Sequence, residues 1–116
     1  MVDDLIFHIC RQNEWRRFEK TTVYEGSSQD KKDGFIHFST SEQIVGSAAK
    51  HRAGQDDLVI FGIRVLDLGD RLKWETSKNG RLFPHFYGHL LFKSVVKMAE
   101  LKLGPDGVHL FPHEFL

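Results

Sequence analysis

The stretch DGFIHFSTSEQ, residues 33–43, changes from a turn to a strand and then to a helix within a short span. Its Asp-Gly pair is a turn signal. The alternation that follows places Ile36 and Phe38 on one face of a strand and His37 on the other. A strand that leads directly into a helix, with a titratable ring beside the junction, indicates both a fold with the two element types and a candidate site.

A helix is predicted to begin directly after this strand. Ser39 and Glu42 have the spacing of a capping box, and apolar residues from Ile44 onward follow at helical spacing. The helix is predicted to end near Gly54. Its N-terminus offers free backbone N–H groups close to His37, and these suit a phosphate or carboxylate on a ligand.

Upstream of this stretch, the pattern predicts a strand, a helix and a loop. Residues 5–9 predict a first strand, whose successive side chains point to opposite faces. Residues 11–20 favour a helix, with Trp15 and Phe18 as its apolar anchors. The polar residues 20–34 predict a mobile surface loop that the Asp-Gly turn closes.

Downstream, strands predominate. Residues 57–65 are apolar at almost every position and predict a central strand covered on both faces. Pro84 and Gly88 make the segment around them an edge strand or an irregular segment. Further strands are predicted at 72–76 and 94–103. About six strands and two main helices in mixed order predict an α+β fold with a mixed β core.

Composition and charge restrict the class of protein. The chain has 116 residues, which suits a single domain over 1–116, and Lys+Arg equals Asp+Glu at 16 each. This balance argues against nucleic-acid or membrane partners. Cys10 is the only cysteine, and the N-terminus lacks the basic residues of a signal peptide, so a cytoplasmic protein is expected. The oligomeric state is left open.

Several titratable side chains sit at positions from which they can converge. We expect a cleft lined by His8, His37, Glu75, His85 and Tyr87, whose groups are able to transfer protons near neutral pH. The alternative is that the histidines are structural and are hydrogen-bonded to neighbouring strands or loops. A site of this kind also suits a non-catalytic module that binds a ligand or a partner protein.

A metal site is the less favoured interpretation of the seven histidines. His85 and His89 are four residues apart, but Pro84 and Gly88 argue against the helix that would bring them together. Cys pairs and His-Glu-x-x-His are absent from the sequence. No metal ligands are assigned on this basis.

Five sequence blocks in order resemble the small bacterial family known as domain of unknown function 952. The blocks are IFHI, DGFIHFSTSEQ, GQDDLV, LKWE and LFPHFYG. The resemblance covers about residues 5–100, and the residues from 104–116 form an extension that the family pattern does not explain. The family is similar in fold to the ADP-ribosyltransferases, which implies a split, two-sheet α+β domain around a cleft for NAD.

The same resemblance implies roles for individual residues. His8 resembles the first-strand histidine that holds a ribose, and Ser39-Thr40-Ser41 resembles the segment that shapes the nicotinamide end of the cleft. Tyr87 is then expected to bind the ligand as the stacking aromatic residue, together with His85.

The acid that stabilises the ribosyl cation is expected to be Glu75, with Glu100 as the alternative. His8, His37 and Glu75 are therefore the catalytic candidates. The function expected from all of this is a transferase or glycohydrolase acting on NAD, an ADP-ribosyl group or a phosphorylated nucleotide. NAD is expected as a substrate or ligand.

Overall fold

The computed structural model describes residues 4–77 and 79–115. Its strands are β1 Leu5–Arg11, β2 Val23–Tyr24, β3 Ile36–His37, β4 Leu58–Arg64, β5 Leu72–Thr76, β6 Leu82–Phe86, β7 Leu90–Leu91, β8 Val95–Leu103 and β9 His109–Leu110. Its α-helices are α1 Gln12–Thr21, α2 Ser28–Asp33 and α3 Ile44–His51. Within the described residues, no helix has the length and apolarity needed to cross a membrane.

The strands form two larger sheets and one small ribbon. The first sheet has the order β1-β4-β8-β9, the second has the order β3-β6-β5, and β2 pairs with β7. Every strand pairing in the described part of the chain is antiparallel. The predicted α+β class is confirmed, but the predicted mixed β core is wrong because the sheets are antiparallel, and the described residues form three α-helices instead of two.

The two larger sheets meet where β1 passes the end of β3. The N–H of Phe7 donates to the carbonyl of Ser39 and the N–H of Ser39 donates to the carbonyl of Phe7, both at 2.8 Å. Apart from this bridge, β1 pairs with β4 and β3 pairs with β6. His8 directly follows Phe7 and His37 lies two positions before Ser39, so the two histidines are close at the junction, where Nδ1 of His8 bonds to the carbonyl of His37.

Strands β1 and β4 are packed on both faces. The apolar run 57–65 predicts this for β4. Alternate residues of β1 enter two different clusters. The cluster on the side of α1 includes Ile6, Cys10, Trp15, Phe18 and Phe61. The cluster on the side of α3 includes Phe7, Ile9, Ile44, Ala48 and Phe115. The helix anchors Trp15 and Phe18 are thus confirmed.

The segment 20–34, predicted as a mobile loop, contains β2 and α2. Ser27 caps α2, because its hydroxyl accepts from the N–H of Asp30 at 3.2 Å while the Asp30 carboxylate accepts from the N–H of Ser27 at 2.8 Å. The helix ends at Gly34, whose φ of 87° is left-handed. The prediction of a loop is therefore wrong. The sequence pattern does not indicate α2 because this short helix has no apolar residues at helical spacing.

The capping box predicted at Ser39 and Glu42 does not form. The backbone of Ser39 is engaged in the bridge to β1, and its hydroxyl pairs with the hydroxyl of Ser47 at 2.9 Å. Helix α3 therefore begins later, at Ile44.

The segment around Pro84 is a central strand, which corrects the prediction of an edge strand or an irregular segment. Strand β6 lies between β3 and β5. Pro84 has no N–H to donate, yet its carbonyl accepts from the N–H of Phe38 at 3.0 Å. Proline is tolerated here because β3 ends beside it.

Gly62 is required by the close approach of Phe7, its partner across β1 and β4. A Cβ at this position would lie 2.9 Å from Cε1 of Phe7, whose ring also packs against Phe115 with centroids 5.5 Å apart. Gly62→Ala is expected to lower the free energy of unfolding by about 1–3 kcal/mol, as overpacking does. Urea denaturation measures the change. Gly46→Ala in α3 is the control, because a Cβ there meets nothing within 4 Å, and equal midpoints for both variants would contradict the prediction.

Candidate functional site

A cleft of about 630 Å³ is lined by β1, β3, β6, α2 and α3. This volume is within the usual range for small-molecule sites. Its histidines are His8, His37, His51 and His85. Its basic residues are Arg11, Lys50, Arg52 and Arg81, and its acidic residues are Glu14, Asp30, Asp33 and Glu42.

His8 is a buried residue at the floor of the cleft, with 3% of its surface exposed. Its Nδ1 lies 2.6 Å from the carbonyl oxygen of His37, which can only accept, so Nδ1 carries the proton. Its Nε2 lies 2.6 Å from the hydroxyl of Tyr24 and accepts from it. Burial lowers the pKa of His8, and the nearby Asp30 offsets this only in part. The His8 ring is therefore neutral, and its two hydrogen bonds connect β1 to β2 and to β3.

Asp30 is the central acid of the site, although it is almost fully buried. Its carboxylate accepts from the N–H groups of Ser27 and His37 and from the ring Nδ1 of His37. Burial would raise the pKa of Asp30, but the charge interaction with His8 and the hydrogen bonds from His37 and Ser27 outweigh burial and lower it. The hydrogen bonds from Ser27 and His37 remain when His8 is neutral, and they favour the ionised carboxylate.

His37 connects this buried acid to the cleft. Its Nδ1 lies 2.5 Å from Oδ1 of Asp30 and its Nε2 lies 3.0 Å from Oδ2 of Asp33. Its side chain is 38% exposed. His37 therefore presents an oriented imidazole ring to a ligand.

His85 stands directly opposite His37 in the pairing of β3 with β6. The two ring centroids are 5.6 Å apart. Phe35 packs against both rings, at 4.5 Å from the His37 centroid and stacked at 4.0 Å on His85. The strand register thus brings two imidazoles to the same wall of the cleft.

Glu75 contacts His85 from beside the cleft and Tyr87 contacts Glu75, and neither is among the described lining residues of the cleft. Oε1 of Glu75 accepts from Nδ1 of His85 at 2.8 Å and from the hydroxyl of Tyr87 at 2.6 Å. The hydrogen bonds that Glu75 accepts, first from Tyr87 and then from His85, lower the pKa of Glu75. The bond between Tyr87 and Glu75 also raises the pKa of Tyr87. The structure therefore places Glu75 behind a histidine, whereas the sequence predicts it inside the cleft.

The three residues of the Ser-Thr-Ser segment do not share one cavity. Ser39 lines the main cleft, while Thr40 and Ser41 line a second cavity of about 350 Å³ together with Trp74. Glu100, the alternative acid, is on β8, where it accepts from Nε2 of Gln12 at 2.9 Å. It lies outside the described lining of the main cleft.

A family model for a protein of unknown function, DUF952, matches residues 9–98. The chain belongs to this family. A crystal structure of protein CC0527 from Caulobacter crescentus is 40% identical, with 96% of this chain and 97% of that chain covered and a TM-score of 0.90. The solution NMR structure of CC0527 is 43% identical, with 90% of each chain covered and a TM-score of 0.81. Among curated proteins, none matches the sequence.

Membership of the DUF952 family confirms the resemblance that the five sequence blocks indicate. The model matches nearly the same span as those blocks, which run over about residues 5–100. The structure places His8, His37, His85 and Ser39 around one cleft, and all of these except His8 fall within the matched residues 9–98.

Three further residues of the site carry no recognisable functional motif in the sequence. Asp30, Tyr24 and Asp33 all fall in the polar segment that is expected to be a loop. The one usable signal is the Ser-x-x-Asp spacing that ends at Asp30, because a serine followed by an acid three positions later is typical of a helix start. Such a pattern places Asp30 at a helix start but does not indicate that its carboxylate is buried.

Among residues 4–77 and 79–115, no group of three or more His, Cys, Asp or Glu side chains is arranged to hold a metal ion. Two histidines of the cleft are instead hydrogen-bonded to acids, His37 to Asp30 and His85 to Glu75 beside the cleft. This pairing suits proton transfer.

Proposed function

We propose that this DUF952 protein is an acid–base enzyme that binds an ADP-ribosyl or other phosphorylated nucleotide ligand in the main cleft. The observation that carries the proposal is the pair of Asp30 and His37. A buried, ionised carboxylate orients an imidazole that lines a cavity of ligand size. Catalytic histidines are commonly oriented by a carboxylate in this way. His37 is the proposed catalytic residue and Asp30 is its positioning residue.

The ligand class is supported by the walls of the cleft and by the family resemblance. Lys50, Arg52 and Arg81 supply positive groups for phosphates, and Phe83 supplies an apolar ring. The resemblance to ADP-ribosyltransferases that is expected from the sequence makes NAD the first ligand to test. The proposed partner is a small molecule, and neither nucleic acid nor a membrane is proposed.

The position of Glu75 favours a second candidate, a binding module without catalysis. Cleavage of the nicotinamide bond develops positive charge on the ribose, and a carboxylate about 4 Å away contributes on the order of 4 kcal/mol at an effective dielectric near 20. Glu75 is held by His85 and Tyr87 beside the cleft. A ligand bound without such a carboxylate in contact with its ribose would remain intact.

Thermal denaturation with added ligands tests the proposal. ADP-ribose or NAD at 100 times its dissociation constant should raise the free energy of unfolding by about 2.7 kcal/mol. His37→Ala should reduce this stabilisation, whereas His89→Ala, an exposed histidine outside the described lining, should retain it. Absence of any ligand-dependent shift with a folded protein would contradict both candidates.

Product analysis separates the two candidates. Chromatography of the ligand after long incubation should reveal a product with the natural protein and none with His37→Gln. Binding without any product from the natural protein would favour the binding module.

A further inference from the structure

We infer that His37 and His85 are a general acid and a general base that together cleave a ribonucleoside phosphodiester bound in the cleft. The inference rests on the proposed function and adds to it the class of bond that is broken. It assigns His85 as a second catalytic residue and Glu75 as the residue that positions it.

The contacts of His37 define it as the acid. Its Nδ1 faces Oδ1 of Asp30 at 2.5 Å and its Nε2 faces Oδ2 of Asp33 at 3.0 Å. In the acid form of the ring, Nδ1 donates to Asp30 and Nε2 carries a second proton beside the Asp33 carboxylate. Asp33 lies at the end of α2 with its side chain 35% exposed. It can turn away when a substrate oxygen takes the proton of Nε2.

The contacts of His85 define it as the base. Its Nδ1 donates to Oε1 of Glu75 at 2.8 Å, which leaves the lone pair of the neutral ring on Nε2. Phe35 stacks on the ring with an interplanar angle of 25° and holds its plane. The ring is mostly buried, yet it lines the cleft. An oriented, unprotonated nitrogen next to a ligand is the arrangement that a general base needs.

The two rings stand far enough apart to act on different oxygens of one group. They are direct neighbours across β3 and β6, and their centroids are 5.6 Å apart at an interplanar angle of 68°. An acid and a base fixed side by side serve a displacement in which one oxygen loses a proton while another gains one. Displacement at phosphorus has this requirement, and Arg52, fixed by a 2.9 Å hydrogen bond to the carbonyl of Ile9, adds a positive charge to the wall of the cleft.

The reaction needs no other reactant when the substrate carries its own nucleophile. Nε2 of His85 removes the proton of a ribose 2′-hydroxyl, and the 2′ oxygen forms a bond to phosphorus. The bond from phosphorus to the 5′ oxygen breaks, its electron pair stays on that oxygen, and Nε2 of His37 supplies the proton. The products are a 2′,3′-cyclic phosphate and a 5′-hydroxyl. Solvent then returns a proton to His37 and removes one from His85.

Two substrates with different leaving groups test the assignment. The first is the dinucleotide uridylyl-3′,5′-adenosine, and the second is uridine 3′-(4-nitrophenyl phosphate), whose 4-nitrophenolate departs without a proton. His37→Asn should slow cleavage of the dinucleotide by about 10²–10⁴-fold, which is the usual contribution of a general acid. It should slow cleavage of the nitrophenyl ester far less. His85→Asn should slow both substrates by a similar factor. Equal losses on both substrates for His37→Asn would overturn the assignment of the acid.

The positioning role of Glu75 has its own measurement. Glu75→Gln should lower kcat while KM stays unchanged, because Glu75 contacts His85 and lies outside the described lining of the cleft. A rise in KM with unchanged kcat would overturn this role. His89→Asn, at an exposed position, is the control for histidine replacement and should leave both constants unchanged.

The outcome also distinguishes this inference from the proposed function. Cleavage of the dinucleotide but not of its 2′-deoxy analogue supports the inference. Stabilisation by ADP-ribose with no cleavage of either ribose diester overturns the inference and leaves the proposed function standing. Cleavage of the 2′-deoxy analogue at an equal rate overturns the internal attack.

Discussion

Asp30→Ala is expected to lower the free energy of unfolding by about 3–5 kcal/mol, because two backbone N–H donors lose their acceptor at about 1–3 kcal/mol each and α2 loses part of its cap. The Asp30 carboxylate is 2% exposed and accepts from Ser27, from the backbone of His37 and from the ring of His37. Its loss leaves the N–H groups of Ser27 and His37 without their acceptor and removes half of the cap of α2. Urea denaturation gives the free energy directly.

Asp33→Ala is the matched control for this change. Asp33 also contacts the ring of His37, at 3.0 Å, but its side chain is 35% exposed and lies at the end of α2. Partly exposed ion pairs contribute about 0–1 kcal/mol, so a small change is expected. Equal losses for the two variants would show that burial of Asp30 does not determine its importance.

The parts of the fold that the sequence predicts are those with a clear period. Strand β1 is mostly apolar and β4 is continuously apolar up to its last residue, and both occur where the pattern places them. Trp15 and Phe18 mark the buried face of α1 for the same reason. These features are local, because each depends on which face of one element is turned toward the core.

The pairing of His37 with His85 could not be predicted, because it depends on the register between two strands distant in the chain. Strand β3 has only two residues, and its register with β6 is one of several that would bury Ile36. The contact of Glu75 with His85 is easier to predict from the sequence. Strands β5 and β6 are joined across the Asn-Gly turn, and Glu75 pairs with Phe83, two residues from His85.

Asp30 lies outside what a sequence pattern can reveal. A polar segment with several charges usually predicts a solvated loop, and nothing in the composition of residues 20–34 separates the one buried acid from its exposed neighbours. The carboxylate is buried because the ring and backbone of His37 bond to it. That contact forms only after β3 and α2 have packed, so it is a product of tertiary structure.

His8 is expected to make the folded protein less stable as the pH falls below about 6.5. The ordinary pKa of a histidine is 6.5, and burial lowers the pKa of His8 in the folded state despite the nearby Asp30. Below pH 6.5 the unfolded chain therefore binds a proton that the folded protein does not bind. The free energy of unfolding then falls with a slope approaching about 1.4 kcal/mol per pH unit, and above pH 6.5 the contribution is fully present.

His8→Gln is the variant that isolates this effect, because an amide can still donate to the carbonyl of His37 and accept from Tyr24 but does not titrate. Urea denaturation at several pH values between 4.5 and 7.5 should give a shallower slope for this variant, whatever its stability at neutral pH. His89→Asn, an exposed position, should keep the natural slope. The pKa of His51 is also lowered, chiefly by burial. His51→Asn therefore measures the part of the pH slope that arises from this second histidine of the cleft. An unchanged slope in His8→Gln would mean that the acid sensitivity of the fold arises elsewhere, since the Asp30 carboxyl, whose pKa is lowered from 3.8, begins to lose its contribution only at more acidic pH.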